Sequence, residues 1–169
     1  FSGMLGRRVR RTGEEPRVEL DPAAAVKTAI DDAGWGADRA VETDAGWELR
    51  PRLNGREVAV DIVLDTDAVH VRRTIVEKVT PGPEASAAAH QALTFNDRLR
   101  GCRLAVVADR IVAECSLRPA LINSEWLIWS STTVAAAARS VEPELQLLAG
   151  NSDIAAHYLA MFYPHDNGV

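Results

Sequence analysis

The sequence has 169 residues, a mass of 18.3 kDa and a net charge of −5, and this length fits one domain with one hydrophobic core. With 47% hydrophobic and 25% charged residues, and no apolar run near the ~18 residues that a membrane helix needs, the composition excludes collagen-like, disordered and membrane-spanning proteins. The pI near 5.4 argues against a nucleic-acid-binding protein, because phosphate contacts require clustered lysines and arginines.

The first 19 residues are predicted to form a flexible arm. The arm is rich in arginine and has too few apolar residues to bury against a core. Its basic cluster could contact RNA or an anionic surface, but a solvated tail is the preferred interpretation. Residues 1–3, before Met4, are expected to be an expression remnant; residues 20–163 are predicted to form one domain and residues 164–169 a tail.

The folded part is predicted to begin with a helix. Asp21 is a good N-cap, Pro22 suits the first helical position, and the helical pattern continues over residues 23–33 until Gly34. The buried stripe of this helix is predicted to be Val26, Ala29 and Ile30.

A three-stranded antiparallel meander is predicted next, because from Gly46 apolar and polar residues alternate. The first two strands carry Trp47 and Leu49 and then the run 58–64. Asn54-Gly55 between them is the strongest short hairpin signal, since both turn residues must adopt positive φ.

The third strand of the meander is predicted over residues 69–79, after a reversal at Asp65-Thr66-Asp67. Its alternation is interrupted at Arg72-Arg73 and at Ile75-Val76. These interruptions predict either a β-bulge or a strand covered on both faces.

A second helix is predicted over residues 84–99, followed by a hairpin that carries Cys102 and Cys115. Two registers are possible for this hairpin. A turn at Ala108-Asp109 sets Cys102 opposite Cys115 and Arg103 opposite Glu114, whereas a turn at Asp109-Arg110 sets Cys115 opposite Leu104.

Two more helices complete the prediction. The first is long, begins at Ser124 and is expected to break or bend near Glu142-Pro143, because proline removes a donor and disfavours helical geometry in the preceding residue. The second spans residues 153–162. The order is α-β-β-β-α-β-β-α with an extra C-terminal helix, which indicates an α+β fold with an antiparallel sheet made of a three-strand meander plus a hairpin.

The two cysteines are too few for a disulfide framework or a four-thiolate zinc site, and no N-terminal stretch has the features of a signal peptide. We therefore expect a cytoplasmic protein with free thiols at Cys102 and Cys115.

The motifs that catalysis requires are absent: there is no dinucleotide-binding glycine motif, P-loop, nucleophile elbow, zinc-protease helix or C-x-x-C. The arrangement nearest to a metal site is Asp153 with His157, followed by His165 and Asp166, and such pairs are common on any wet helix face. Three further aspartates, Asp61, Asp65 and Asp67, could form an acidic metal cluster, but the chain reversal explains two of them, and turn chemistry is the preferred interpretation. We predict no catalytic residues, no metal and no cofactor.

The long helix carries Trp126 and Trp129 three positions apart, so the two side chains lie side by side but about 60° apart around the axis. They are predicted to differ in burial. Packing on the sheet is the preferred interpretation, and a place for at least one of them at a protein interface is the alternative.

Residues 92–106 form a helix that includes Asn96, a short link and a strand; the hairpin then leads to Leu117-Arg118-Pro119 and a helix near Ser124-Glu125. Over about residues 20–149 this pattern resembles the fold of type III secretion chaperones and the YbjN-like proteins. The resemblance implies a non-enzymatic, usually dimeric, cytoplasmic protein that handles another polypeptide.

Two hypotheses follow. The first is a chaperone-like or regulatory domain that dimerises through the second strand block or the long helix and binds a client polypeptide, with Trp126, Trp129 and Val112 as partner-binding residues. The alternative is a small-ligand sensor or enzyme with a pocket between helix and sheet. Its polar groups would be His70, Arg72 and Arg73.

Overall fold

The computed structural model describes residues 20–164. The predicted arm over residues 1–19 lies outside the described residues, as do His165 and Asp166. No helix within the described range is both long and apolar enough to cross a bilayer.

Four α-helices and eight strands lie within residues 20–164. The helices are α1 (Pro22–Asp32), α2 (Pro83–Asn96), α3 (Ser124–Gly150) and α4 (Ser152–Phe162), and a 3-10 turn spans Pro119–Leu121. The strands are β1 (Ala40–Thr43), β2 (Gly46–Leu49), β3 (Arg52–Leu53), β4 (Arg56–Glu57), β5 (Val60–Leu64), β6 (Val69–Val76), β7 (Arg103–Val107) and β8 (Arg110–Leu117).

Six strands form one antiparallel sheet in the order β1-β2-β5-β6-β8-β7, and β3 and β4 form a separate two-stranded ribbon. Alternate residues face the helices, as in the buried row that runs from Trp47 through Ile62 and Val71 to Cys115. The central helix α3 packs on this face through a stripe of buried residues, Leu127, Val134, Val141, Leu145 and Leu148. The α+β class and the antiparallel sheet predicted from the sequence are thus confirmed.

The meander differs from its prediction in two places. The edge strand β1 was not predicted, because three of its four residues are exposed and it lacks the apolar alternation of a half-buried strand. Asn54-Gly55 does form the predicted turn, with φ of 50° and 76°. However, this turn closes the β3-β4 ribbon, which lies between β2 and β5 in the sequence. The interruption predicted in the third strand is a bulge between Thr74 and Val76.

The predicted break of the long helix at Pro143 is wrong, because α3 continues through it to Gly150. An internal proline costs about 3 kcal/mol. Contacts of the neighbouring residues offset this cost. Val141 and Leu145 are at most 1% exposed, and the Glu142 Oε1 accepts a hydrogen bond of 2.8 Å from the Arg73 Nε. Packing of the helix on the sheet therefore prevails over local propensity.

Candidate functional site

The candidate site is a groove at one end of the sheet, where two neighbouring strands end at different places. Strand β8 runs on through residues 115–117 after the last β7 pair, Arg103 with Glu114. The preceding chain turns away at Gly101, which has a φ of +76°. The space left beside β8 has a volume of about 650 Å³, and it is lined by Gly101, Cys102, Arg103, Glu114, Cys115, Ser116, Leu117, Trp126 and Trp129.

The two tryptophans come from the first two turns of α3 and form one wall of the groove. The helix start is fixed by Asn123, whose Oδ1 accepts a hydrogen bond of 2.8 Å from the Trp126 backbone N–H. Trp126 is partly buried and packs against the core, whereas Trp129 is 51% exposed. The prediction that their environments differ is confirmed.

Gly101 allows the indole of Trp129 to lie directly on the backbone. A Cβ built at Gly101 would stand 2.5 Å from the Trp129 Cη2, closer than such atoms can approach. Two features of the structure therefore require glycine at this position. The positive φ turns the chain away from β8, and the absence of a side chain leaves room for the Trp129 ring.

The polar side of the groove is organised by Glu114, which is 2% exposed. Its Oε2 accepts a hydrogen bond of 2.7 Å from the Arg72 Nε, and its Oε1 accepts one of 2.7 Å from the Arg103 Nη2. Burial raises the pKa of this carboxyl group, but the two arginines outweigh burial and the net effect is a lowered pKa. Glu114 is therefore a buried anion held between two cations on adjacent strands.

The cysteines lie on the opposite side of the strand from Glu114. Because Val107 pairs with Arg110, the hairpin turn is Ala108-Asp109, and of the two predicted registers the one that sets Arg103 opposite Glu114 is adopted. Cys102 immediately precedes this ladder, and Cys115 follows Glu114 on β8. Both thiols are free. Burial raises the pKa of Cys115 to about 11, with the Ser130 hydroxyl acting in the opposite direction, and burial also raises the pKa of Cys102.

We predict that both thiols react slowly in the folded protein. Only the thiolate attacks a reagent, so a pKa near 11 in place of about 8.5 reduces the reactive fraction of Cys115 by roughly 200-fold near pH 8. Labelling with an aromatic disulfide reagent, followed by absorbance and mass spectrometry, should show slow native and rapid unfolded reaction. Rapid labelling of the native protein, or a mass about two daltons light without added oxidant, would contradict this prediction.

The predicted partner-binding residues do not all meet. Trp126 and Trp129 line the groove together, but Val112 does not line it. Val112 lies further along β8, between Thr74 and Ala105 on the neighbouring strands, and is only 3% exposed. It has almost no surface to offer a partner.

The polar groups of the alternative hypothesis are divided between the two faces of the sheet. Arg73 lies on the helix face, where it pairs with Glu142, while Arg72 on the other face pairs with Glu114. His70 also lies on the face away from the helices, and its Nδ1 is 2.6 Å from the Ser116 Oγ. The three residues therefore do not converge in one pocket between helix and sheet.

Asp153 and His157 lie on α4, and no three His, Cys, Asp or Glu side chains in the described part of the chain come together as metal ligands. Asp65 has the turn role predicted for it, since its Oδ1 accepts a hydrogen bond of 2.7 Å from the Thr66 N–H.

Sequence reasoning missed the contribution of residues 101–103 and 114–117 to the site. One signal was present: the register with a turn at Ala108-Asp109 already set Arg103 opposite Glu114. The groove itself could not be read from the strands, because it depends on where α3 crosses the end of the sheet.

No protein-family model matches the chain, and no curated protein matches it. Among solved structures, a chain in the crystal structure of the ExsC-ExsE complex is similar, with 12% sequence identity and a TM-score of 0.49 over 75% of this chain and 96% of that chain. That structure, by its name, holds two proteins in complex.

Proposed function

We propose that the protein is a non-enzymatic, chaperone-like or regulatory protein-binding domain that dimerises and binds a client polypeptide in the groove. The observation that carries the proposal is the pair Trp126 and Trp129 beside the end of β8, where an aromatic wall meets a strand segment that β7 leaves uncovered. Tryptophan is the residue most enriched at the energetic centres of protein interfaces.

The apolar surface extends beyond the groove, which favours a polypeptide over a small ligand. On the outer side of α3, Trp129 lies beside Ile128, which is 43% exposed. Exposed apolar surface next to a groove is a feature of protein interaction sites. A polypeptide can cover both the groove and this flank.

The kinship with type III secretion chaperones and YbjN-like proteins, and the cytoplasmic location, belong to the same proposal. The order of helices and strands supports the kinship, and the two free thiols support a reducing compartment.

The dimer is proposed to form through the outer side of β7 and the adjacent part of α2. Val106 and Leu93 are 58% and 69% exposed. Val106 lies two positions after Leu104 on β7, and Leu93 lies one turn before Asn96, which hydrogen-bonds to Leu104, so both flank the same contact. Two copies related by a two-fold axis could bury these apolar side chains against each other.

We predict that Val106→Asp converts the dimer to a monomer, since it would place a carboxylate in the interface of each copy. Val41→Asp is the matched control, because Val41 is exposed on β1 at the opposite edge of the sheet. Sedimentation equilibrium of the wild type and both variants measures the result. A wild-type monomer at high micromolar concentration, or a dimer unaffected by Val106→Asp, would contradict the prediction.

Client binding is tested by selecting displayed random peptides on the wild-type chain and measuring the Kd of the best ones by isothermal titration. We predict that Trp129→Ala weakens binding by about tenfold or more, as truncation of a central interface tryptophan does. Leu147→Ala is the matched control, because Leu147 is 51% exposed on the same helix, like Trp129, but lies roughly 27 Å away along its axis. Peptides that bind the wild type, Trp129→Ala and Leu147→Ala equally would refute the groove as the binding site.

A further inference from the structure

We infer that the groove binds an extended, acidic polypeptide segment that adds as a short strand to the free edge of β8 at Ser116. This inference rests on the protein-binding function proposed above and names the class of segment bound. It is carried by the hydrogen-bonding register of the β7-β8 hairpin and by the charges around the groove.

The register determines which backbone groups of β8 point into the groove. In a hairpin with a two-residue turn, the residues that flank the turn, here Val107 and Arg110, exchange backbone hydrogen bonds. The backbone N–H and C=O groups of every second residue of β8 then point toward the β7 side. These residues include Glu114 and Ser116. Because β7 begins opposite Glu114, the N–H and C=O groups of Ser116 face the groove, and no strand within residues 20–164 pairs with them on that side.

The outer edge of β7, on the other side of the hairpin, is capped by a side chain. The backbone N–H and C=O of Leu104 point away from β8, and the Asn96 side chain hydrogen-bonds to both. The Asn96 Oδ1 accepts a hydrogen bond of 2.7 Å from the Leu104 N–H, and the Asn96 Nδ2 donates one of 3.0 Å to the Leu104 carbonyl. An amide side chain thus takes the place of a neighbouring strand, a device that protects exposed edges. The corresponding position on β8, Ser116, has no such cap among the described hydrogen bonds.

The aromatic wall is placed to receive side chains of an added strand. The sheet ladder stops where Gly101 turns away, and the Trp129 ring lies against that turn. A segment paired with Ser116 would therefore set alternate side chains against Trp126 and Trp129. Main-chain hydrogen bonds with pockets for alternate side chains are the usual form of strand addition.

The chain segments that border the groove carry more arginines than acids, although the protein as a whole is acidic. The stretches 100–103 and 114–118 carry three exposed arginines, Arg100, Arg103 and Arg118, and one carboxylate, Glu114. Glu114 is buried and already bound by Arg72 as well as Arg103, and Glu125 on the flank is the exposed acid nearest in sequence to the tryptophans. The excess of exposed cations is complementary to an acidic segment and opposes a basic one.

The first test uses the random peptides selected on the wild-type chain. We expect the peptides that depend on Trp129 to be enriched in Asp and Glu, and the best one to bind about tenfold more weakly when its acids are replaced by Asn and Gln, with the difference shrinking as salt is added. Arg118→Glu should weaken the acidic peptide severalfold, whereas Arg56→Glu, on the distant β3-β4 ribbon, should not.

The second test concerns strand addition. Ser116→Pro removes the N–H that faces the groove without removing a bond to β6, and proline is tolerated at such edge positions. We expect it to weaken peptide binding by about tenfold or more, while Ser116→Ala, which keeps the N–H and removes only the hydroxyl, should weaken binding far less. Circular dichroism checks the fold, and N-methylation of alternate backbone amides in the peptide tests the same hydrogen bonds with the protein unaltered.

The outcomes separate the two proposals. Peptides that require Trp129 but show no acidic preference would overturn the inferred charge class and leave the groove as a protein-binding site. Full binding by Ser116→Pro and by every N-methylated peptide would overturn strand addition. Failure to select any peptide that depends on Trp129 would refute the proposed function itself.

Discussion

Replacing Glu114 with glutamine is expected to lower the free energy of unfolding by about 3 kcal/mol, the low end of the cost of breaking a buried ion pair. Glu114 is 2% exposed and pairs with Arg72 and Arg103, which would both lose their counter-ion. Part of the loss is recovered because Arg103 is 68% exposed and can be solvated. Urea denaturation followed by circular dichroism measures the difference.

The matched control is Glu48→Gln. Glu48 lies in the same row of the sheet and its Oε1 is 2.8 Å from the Arg50 Nε, but the two side chains are 34% and 40% exposed. An exposed pair contributes less than about 1 kcal/mol. Equal losses for the two variants would show that burial of the carboxylate does not set the size of the effect.

The contribution of Glu114 should also depend on pH. Its pKa is lowered in the folded protein, so folding is favoured by the ionised form. The stabilisation is complete above the unfolded pKa of about 4.3 and is lost as the pH falls through the lower folded value. The difference between wild type and Glu114→Gln should therefore be constant around neutral pH and shrink below about pH 4. A difference that persists undiminished in acid would exclude the ion pairs as its source.

Replacing Trp126 with alanine is expected to lower the free energy of unfolding by about 3 kcal/mol, and Trp129→Ala by less than about 1 kcal/mol. Trp126 packs against the core beneath the start of α3, so its removal leaves a cavity. Trp129 is 51% exposed, and its ring lies against the backbone at Gly101, at the surface. The two residues thus separate stability from binding within one groove.

The comparison uses urea titrations of both variants, monitored by circular dichroism because each variant loses a fluorophore. Equal costs for the two substitutions would contradict the difference in burial. Trp129→Ala is then the variant of choice for binding experiments, since it alters the wall of the groove while keeping the fold.

Local rules accounted for those elements whose conformation depends on near neighbours in sequence. Asp21 accepts a hydrogen bond from the Ala23 N–H at the start of α1, as an N-cap should, and Asn54-Gly55 adopts the positive φ angles of its turn. The interrupted alternation at Ile75-Val76 predicted either a bulge or a strand covered on both faces, and the structure has a bulge between Thr74 and Val76. For the hairpin, the sequence narrowed the register to two choices.

Local rules failed where distant residues decide the outcome. Strand β1 has little apolar pattern and exists because it pairs with β2 at the edge of the sheet. Pro143 should end a helix, yet α3 continues through it, where Val141 and Leu145 are buried and Glu142 pairs with Arg73. In both cases tertiary contacts outweigh propensities of at most a few kcal/mol.

By itself the sequence determined the α+β class, the antiparallel hairpins and the unequal burial of Trp126 and Trp129, because these follow from periodicity and turn chemistry within short stretches of chain. Only the tertiary structure decided which of the two registers the second hairpin adopts and that Glu114 is held by arginines from two strands. It alone brought Gly101 beneath the ring of Trp129 and left the Ser116 backbone facing a groove. These features join segments far apart in the chain, and their geometry depends on how α3 packs across the end of the sheet.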